Sequence, residues 1–153
     1  MASQTDRIEK KVVLKAPRAR VWRALADSKE FGAWFGAEFS GPFTPGATAR
    51  GTITTKGYEG LKFEFTVDRM EPERLLSIRW HPYAVDPKVD YSSETPTLVV
   101  FELEEVPGGT QLKVVESGFD RVPIARRAQA FKMNEEGWGI QLKNIDRYVT
   151  EAR

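Results

Sequence analysis

The C-terminal stretch NEEGWGIQLKNIDRYVTE, residues Asn134 to Glu151, carries the clearest structural pattern in the chain. Its apolar residues recur at positions i, i+4, i+7 and i+11, namely at Trp138, Leu142, Ile145 and Val149. Residues at this spacing share one face of an α-helix, and charged residues occupy the other face. The pattern therefore predicts a long amphipathic helix that packs its apolar face against another layer of the protein.

Upstream of this helix, the sequence predicts the strands that would form that layer. Between Leu61 and Met70, apolar residues such as Phe63 and Phe65 alternate with polar ones, which is typical of a half-buried strand. The predicted strands are Ile8–Lys15, Ala47–Thr55, Leu61–Met70, Leu75–His81, Thr97–Val106 and Thr110–Ser117. This alternation predicts an antiparallel sheet with one covered face and one face in water.

Two short helices are expected after the first strand. Pro17 suits a helix start, and Arg18 to Ala26 has a narrow apolar stripe. Asp27 or Ser28 can cap the second helix. Strands followed by a segregated helix indicate an α+β fold, in which a curved antiparallel sheet of about six strands wraps around the C-terminal helix. The length of 153 residues suits a single domain, residues 1–153.

Composition and charge exclude several classes of function. The chain has no cysteine, which excludes disulfides and thiolate metal sites, and a single histidine excludes a multi-histidine metal site. With 23 basic and 22 acidic residues, it lacks the charge imbalance that favours nucleic-acid binding. Its apolar runs are too short for stable membrane insertion, and its first residues lack a secretory h-region. We therefore expect a cytoplasmic protein without nucleic acid, metal or other cofactor.

Several local motifs resemble one known family. The opening IEKKVVLKAPRARVWRALADSKEFGAWFG, the strand end Glu116-Ser117-Gly118-Phe119 and the later Gly137-Trp138 follow one another in a recognisable order. Over nearly its whole length, the chain resembles the START-like superfamily, also called SRPBCC or Bet v-like, in the branch related to the activator of the heat-shock protein 90 ATPase. The resemblance implies the helix-grip fold. It leaves the function open, since this fold serves many functions.

The function predicted from these features is non-catalytic binding of a small apolar or amphipathic molecule, or a lipid, in an internal hydrophobic cavity. Large rings on the covered sheet face would line it. The predicted ligand-binding residues are Trp34, Phe63, Phe65, Trp80, Phe101, Glu116, Phe119, Trp138 and Leu142. The alternatives are a cyclase- or hydrolase-like enzyme using Glu116 or His81, and a chaperone-associated interaction module. The protein would be a monomer or a homodimer.

Glu116 and His81 are the two polar residues with a possible chemical role. Glu116 shares parity with the apolar Leu112 and Val114, so it is expected to point toward the helix. There it could orient a ligand or act as an acid or base. The favoured interpretation is structural, a strand-end carboxylate bonded to the backbone or to an arginine such as Arg126 or Arg127. His81 is expected to point away from the helix, solvated or bonded to the backbone.

Overall fold

The computed structural model describes residues 6–82 and 88–151. Seven strands form one antiparallel sheet with the order β1-β7-β6-β5-β4-β3-β2. The strands are β1 (Arg7–Leu14), β2 (Ala37–Phe39), β3 (Thr48–Ile53), β4 (Lys62–Glu71), β5 (Leu75–Trp80), β6 (Thr97–Val106) and β7 (Gly109–Ser117). The helices are α1 (Arg18–Ala26), α2 (Ser28–Phe35), a 3₁₀ turn (Phe119–Arg121) and α3 (Ile124–Glu151). The predicted helix-grip fold is confirmed.

The sheet has one strand more than the sequence indicated. The added strand, β2, follows α2 directly and pairs with β3 through Ala37 and Ile53. Gly36 makes this possible, since its φ of 97° ends α2 in the left-handed conformation that glycine adopts without strain. Three residues are too few for an alternating pattern to be visible in the sequence, so β2 could be placed only by its pairing.

Helix α2 begins where its sequence predicts. The Asp27 carboxylate accepts hydrogen bonds from the backbone N–H groups of Lys29 and Glu30 at 2.9 and 3.1 Å. These bonds satisfy N–H groups that the first helical turn leaves without partners. The start of the short α2 is thereby fixed, and Phe31 and Trp34 of this helix are buried.

The apolar stripe of α3 is buried as the spacing predicts, and Ile145 has no exposed surface. The ring of Trp138 stacks on Trp80 at 5.6 Å and meets Phe101 edge to face at 5.6 Å. The rings of Phe65 and Phe63 contact the α2 rings of Phe31 at 5.8 Å and Phe35 at 5.4 Å, respectively. The concave face is therefore covered by two elements, α3 at one end and α2 at the other.

Two further observations complete the fold. None of the helices within residues 6–82 and 88–151 is long and apolar enough to cross a membrane. Between β5 and β6, residues 88–96 form no helix or strand, while residues 83–87 lie outside the described part of the chain.

Candidate functional site

A fully buried carboxylate lies where α3 meets the sheet. Glu116, near the end of β7, has no exposed surface. Its Oε2 accepts hydrogen bonds from Trp80 Nε1 at 2.7 Å and Thr97 Oγ1 at 2.6 Å. Its Oε1 accepts from Trp138 Nε1 at 2.8 Å and Asn134 Nδ2 at 2.9 Å. Four side-chain donors from different parts of the chain therefore surround one carboxyl group.

Secondary structure explains why these donors meet. Glu116 pairs with Val99 on the neighbouring β6, which brings the end of β7 beside the start of β6 at Thr97. Trp80 pairs with Thr97 across β5 and β6. Asn134 and Trp138 are four residues apart on α3, so they share one helical face. The carboxyl group thus links three strands to the long helix.

Burial dominates the electrostatics of this group. Removal from water raises the pKa of Glu116, and the hydrogen bonds from Thr97, Trp80, Trp138 and Asn134 lower it in part. The site can hold either protonation state. A proton on Oε2 can be donated to Thr97 Oγ1, whose own hydroxyl can then turn to the Trp80 carbonyl at 3.4 Å.

The raised pKa predicts a pH dependence of stability. Because the folded state binds this proton more tightly than the unfolded state, the contribution of Glu116 is greatest below the ordinary value of 4.5. It falls as the pH rises from 4.5 through the folded pKa. The free energy of unfolding of the wild type should therefore fall relative to that of Glu116→Gln as the pH rises. Urea denaturation at a series of pH values measures it, and a constant difference would contradict the raised pKa.

Neither arginine proposed as a partner of Glu116 reaches it. Arg126 Nε instead donates to the Glu94 carboxylate at 3.0 and 3.1 Å. Arg127 Nε donates to the Val122 carbonyl at 3.0 Å. The expected structural role is replaced by a different one, in which neutral donors and no cation surround the carboxyl group. The sequence could not reveal this, since the donors come from distant segments.

Beside this packed interior, the structure has a partly open pocket of about 680 Å³. Three of its apolar lining residues are the aromatic Phe35, Phe63 and Trp80. These rings contact one another, with centroid distances of 5.4 Å between Phe35 and Phe63, 5.7 Å between Phe63 and Trp80, and 5.9 Å between Phe35 and Trp80. From α3, Met133, Asn134 and Gln141 contribute. Trp80 and Asn134 therefore belong to both the carboxyl cluster and the pocket.

The segment from Lys88 to Pro96, here called the strap, borders the other side of the pocket with Val89 to Ser92. Arg126 of α3 holds the strap through its ion pair with Glu94, and its guanidinium lies 4.8 Å from the Tyr91 ring centroid. Arg126 Nη1 also donates to the Pro82 carbonyl at 2.7 Å. The Arg126 side chain is thus bonded both to Pro82, after β5, and to the strap, before β6.

His81 lies at the edge of the pocket and is bonded to the backbone. Its Nε2 is 2.8 Å from the Glu94 carbonyl oxygen, which can only accept, so Nε2 carries the hydrogen. This fits the predicted backbone bond. The ring is half-buried and lines the pocket, so it is not a fully solvated surface residue.

The structure separates the nine predicted ligand-binding residues into three groups. Phe63 and Trp80 line the pocket. The buried residues that do not line it are Trp34, Phe65, Phe101, Glu116, Phe119 and Trp138. Leu142 borders a smaller groove of about 350 Å³ between β1 and α3, beside Lys10, Lys11 and Lys143. Whether any of them binds a ligand stays a prediction.

Sequence reasoning missed several pocket residues, among them Phe35, Asn134 and Gln141. Phe35 was visible as an apolar residue of the second helix, and its position at the last turn of α2 could have indicated exposure at an opening. Asn134 and Gln141 flank the buried stripe of α3. Both are placed by hydrogen bonds, Asn134 to Glu116 and Gln141 Nε2 to the Phe35 carbonyl at 2.9 Å.

Comparison with known proteins identifies the family. Residues 15–150 match the family model described as "Activator of Hsp90 ATPase homolog 1-like protein". The chain belongs to this family. The match spans both the carboxyl cluster and the pocket of this family member. A search of curated proteins finds no significant match.

Solved structures share the fold. A putative protein of the dynemicin biosynthetic locus, DynU16, is 30% identical with a TM-score of 0.71; the alignment covers 95% of this chain and 47% of that protein. The chain therefore spans about half of DynU16. A protein from Arthrobacter aurescens is 18% identical, with a TM-score of 0.78 and coverage of 97% and 88%. The Aha1 dimer from Colwellia psychrerythraea is 17% identical, with a TM-score of 0.70 and coverage of 94% and 95%.

Proposed function

We propose that the protein binds a small apolar or amphipathic molecule in the pocket beneath the strap. The observation that carries this proposal is the wall of three contacting rings, Phe35, Phe63 and Trp80, on a space of about 680 Å³. Concave apolar sites of this size, with a few polar groups, are typical of small-molecule binding. The helix-grip fold also supports a ligand-binding domain in general.

The polar surroundings support binding more than catalysis. Glu116 is saturated with donors and has no accessible surface, so it cannot approach a substrate in this conformation. His81 Nε2 is held by a backbone carbonyl. Glu116 therefore lacks the accessible position that proton transfer to a bound molecule needs, and His81 borders the pocket with Nε2 already engaged. A homodimer and a cytoplasmic location stay predictions for this chain.

Titration with Nile red, a neutral apolar dye, tests the proposed function. Wild-type protein should bind the dye saturably at one site, with enhanced dye fluorescence. Phe63→Ala should weaken binding about ten-fold, because it removes one ring from the wall and about 1.5 kcal/mol of apolar contact. Native mass spectrometry of the purified protein would show any molecule retained from the expressing cell.

The matched control is Val13→Ala, which removes an exposed apolar side chain of β1 that is not part of the pocket lining. Its Nile red affinity should equal that of wild type. An absence of saturable binding by the wild type, or equal affinities for wild type and Phe63→Ala, would remove the support for this pocket as a binding site.

A further inference from the structure

The orientation of one amide side chain specifies which polar group the pocket offers to a ligand. Asn134 Nδ2 lies 2.9 and 3.1 Å from the two oxygens of Glu116. A carboxylate only accepts hydrogen bonds, so the amide must turn its NH₂ group inward. Protonation does not reverse this, since a proton on Oε2 has Thr97 Oγ1 as its acceptor at 2.6 Å and Oε1 still accepts.

The carbonyl oxygen of that amide, Oδ1, is left available to a ligand in the pocket. Asn134 is half-buried and lines the pocket beside Trp80. Its Oδ1 has no hydrogen-bond partner among residues 6–82 and 88–151. By contrast, both polar atoms of the neighbouring Gln141 are engaged, with Phe35 O at 2.9 Å and Asn144 Nδ2 at 3.0 Å. The pocket lining therefore includes a fixed hydrogen-bond acceptor, Asn134 Oδ1, together with the aromatic rings.

The charges of the pocket favour a neutral ligand. Two cationic side chains in the lining, Arg50 and Lys62, are matched by two anionic ones, Glu64 and Asp90. Arg50 and Glu64 form an exposed ion pair at 3.3 Å. With these charges balanced, selectivity for an ionic group has no evident source in the described lining.

We propose that the pocket selects neutral aromatic molecules bearing a hydrogen-bond donor, such as a phenolic hydroxyl, which Asn134 Oδ1 accepts while the rings of Phe35, Phe63 and Trp80 hold the aromatic body. Glu116 is the positioning residue for this contact, because it fixes the amide without touching the ligand. The proposal rests on the proposed function, since it assigns the ligand class of the same pocket.

Displacement of Nile red by two matched probes, 2-naphthol and 2-methoxynaphthalene, tests it. The probes share one ring system, but only the naphthol has a donor. Transfer of the probe from water into an apolar pocket would by itself favour 2-methoxynaphthalene, which is the less polar compound. If Asn134 accepts the hydroxyl hydrogen, 2-naphthol should instead bind about five-fold more tightly to the wild-type protein.

Single-residue variants show which side chain causes the preference for 2-naphthol. Asn134→Leu should abolish the preference for 2-naphthol, and Val13→Ala, an exposed position outside the pocket lining, should keep both the preference and the wild-type affinity for Nile red. The wild-type comparison stands even if Asn134→Leu does not fold. Equal or reversed probe affinities in wild type, with Nile red bound normally, would overturn the donor proposal alone. Failure of the wild type to bind Nile red would overturn the proposed function and this inference with it.

Discussion

Replacing Glu116 by leucine is expected to lower the free energy of unfolding by about 4 kcal/mol. Leucine has a similar size but accepts no hydrogen bonds. The substitution would leave the indole N–H groups of Trp80 and Trp138, and the amide of Asn134, without their acceptor inside the protein. Each buried donor left unsatisfied costs about 1–3 kcal/mol, offset in part because the carboxyl group no longer has to be buried. Urea denaturation followed by circular dichroism measures the loss.

Two variants make this result interpretable. Glu116→Gln keeps one carbonyl acceptor and should cost about half as much, on the order of 2 kcal/mol. Glu104→Leu makes the same chemical change at an exposed position of β6 and should stay within about 0.5 kcal/mol of wild type. A Glu116→Leu protein as stable as wild type would show that the carboxyl group does not hold the helix to the sheet. That result would favour a chemical role for Glu116.

The second large effect is expected at Phe31, where alanine should lower the free energy of unfolding by about 4 kcal/mol. Phe31 is fully buried, and its ring contacts the rings of Trp34, Phe35, Phe39, Phe43, Phe65 and Phe101. Few of these neighbours can move to fill the space, because α2 is fixed by its cap and by β2. Removing the ring therefore leaves a cavity as well as losing apolar contact.

Phe35→Ala is the matched comparison, since both rings lie on α2. Phe35 is half-buried and faces the pocket, so its loss should cost about half as much stability but weaken Nile red binding. Chemical denaturation and dye titration of the two variants give both quantities. Equal stability losses would mean that Phe31 is not the centre of this aromatic cluster.

Much of the fold could be predicted from local pattern. The helical spacing of Trp138, Leu142 and Ile145 specified which face of α3 is buried, and strand alternation correctly directed Glu116 and Trp80 inward. Apolar periodicity predicts burial because a regular helix or strand presents the same residues to one side. Strand β2 could not be predicted, because its three residues are too few to show an alternating pattern.

The candidate site was less predictable, for a physical reason. Local pattern says that a side chain is buried, but not whether it meets packed neighbours or open space. Phe65 and Phe63 share one strand face, yet Phe65 is in the core while Phe63 lines the pocket. The end of α2 and the position of the strap decide which of these two rings borders open space. The position of the strap depends on contacts such as the ion pair between Arg126 and Glu94.

The sequence by itself thus determined the order of strands and helices typical of an α+β fold, the inward face of α3 and the inward direction of Glu116, because each follows from a short-range repeat. Only the tertiary structure decided what surrounds that carboxyl group and where the pocket opens. The donors around Glu116 come from separate segments of the chain, and no local pattern encodes their meeting. They are Trp80, Thr97 and the α3 pair Asn134 and Trp138. Their hydrogen bonds form only when α3 is laid across the sheet, and the same packing turns one end of Asn134 toward the pocket.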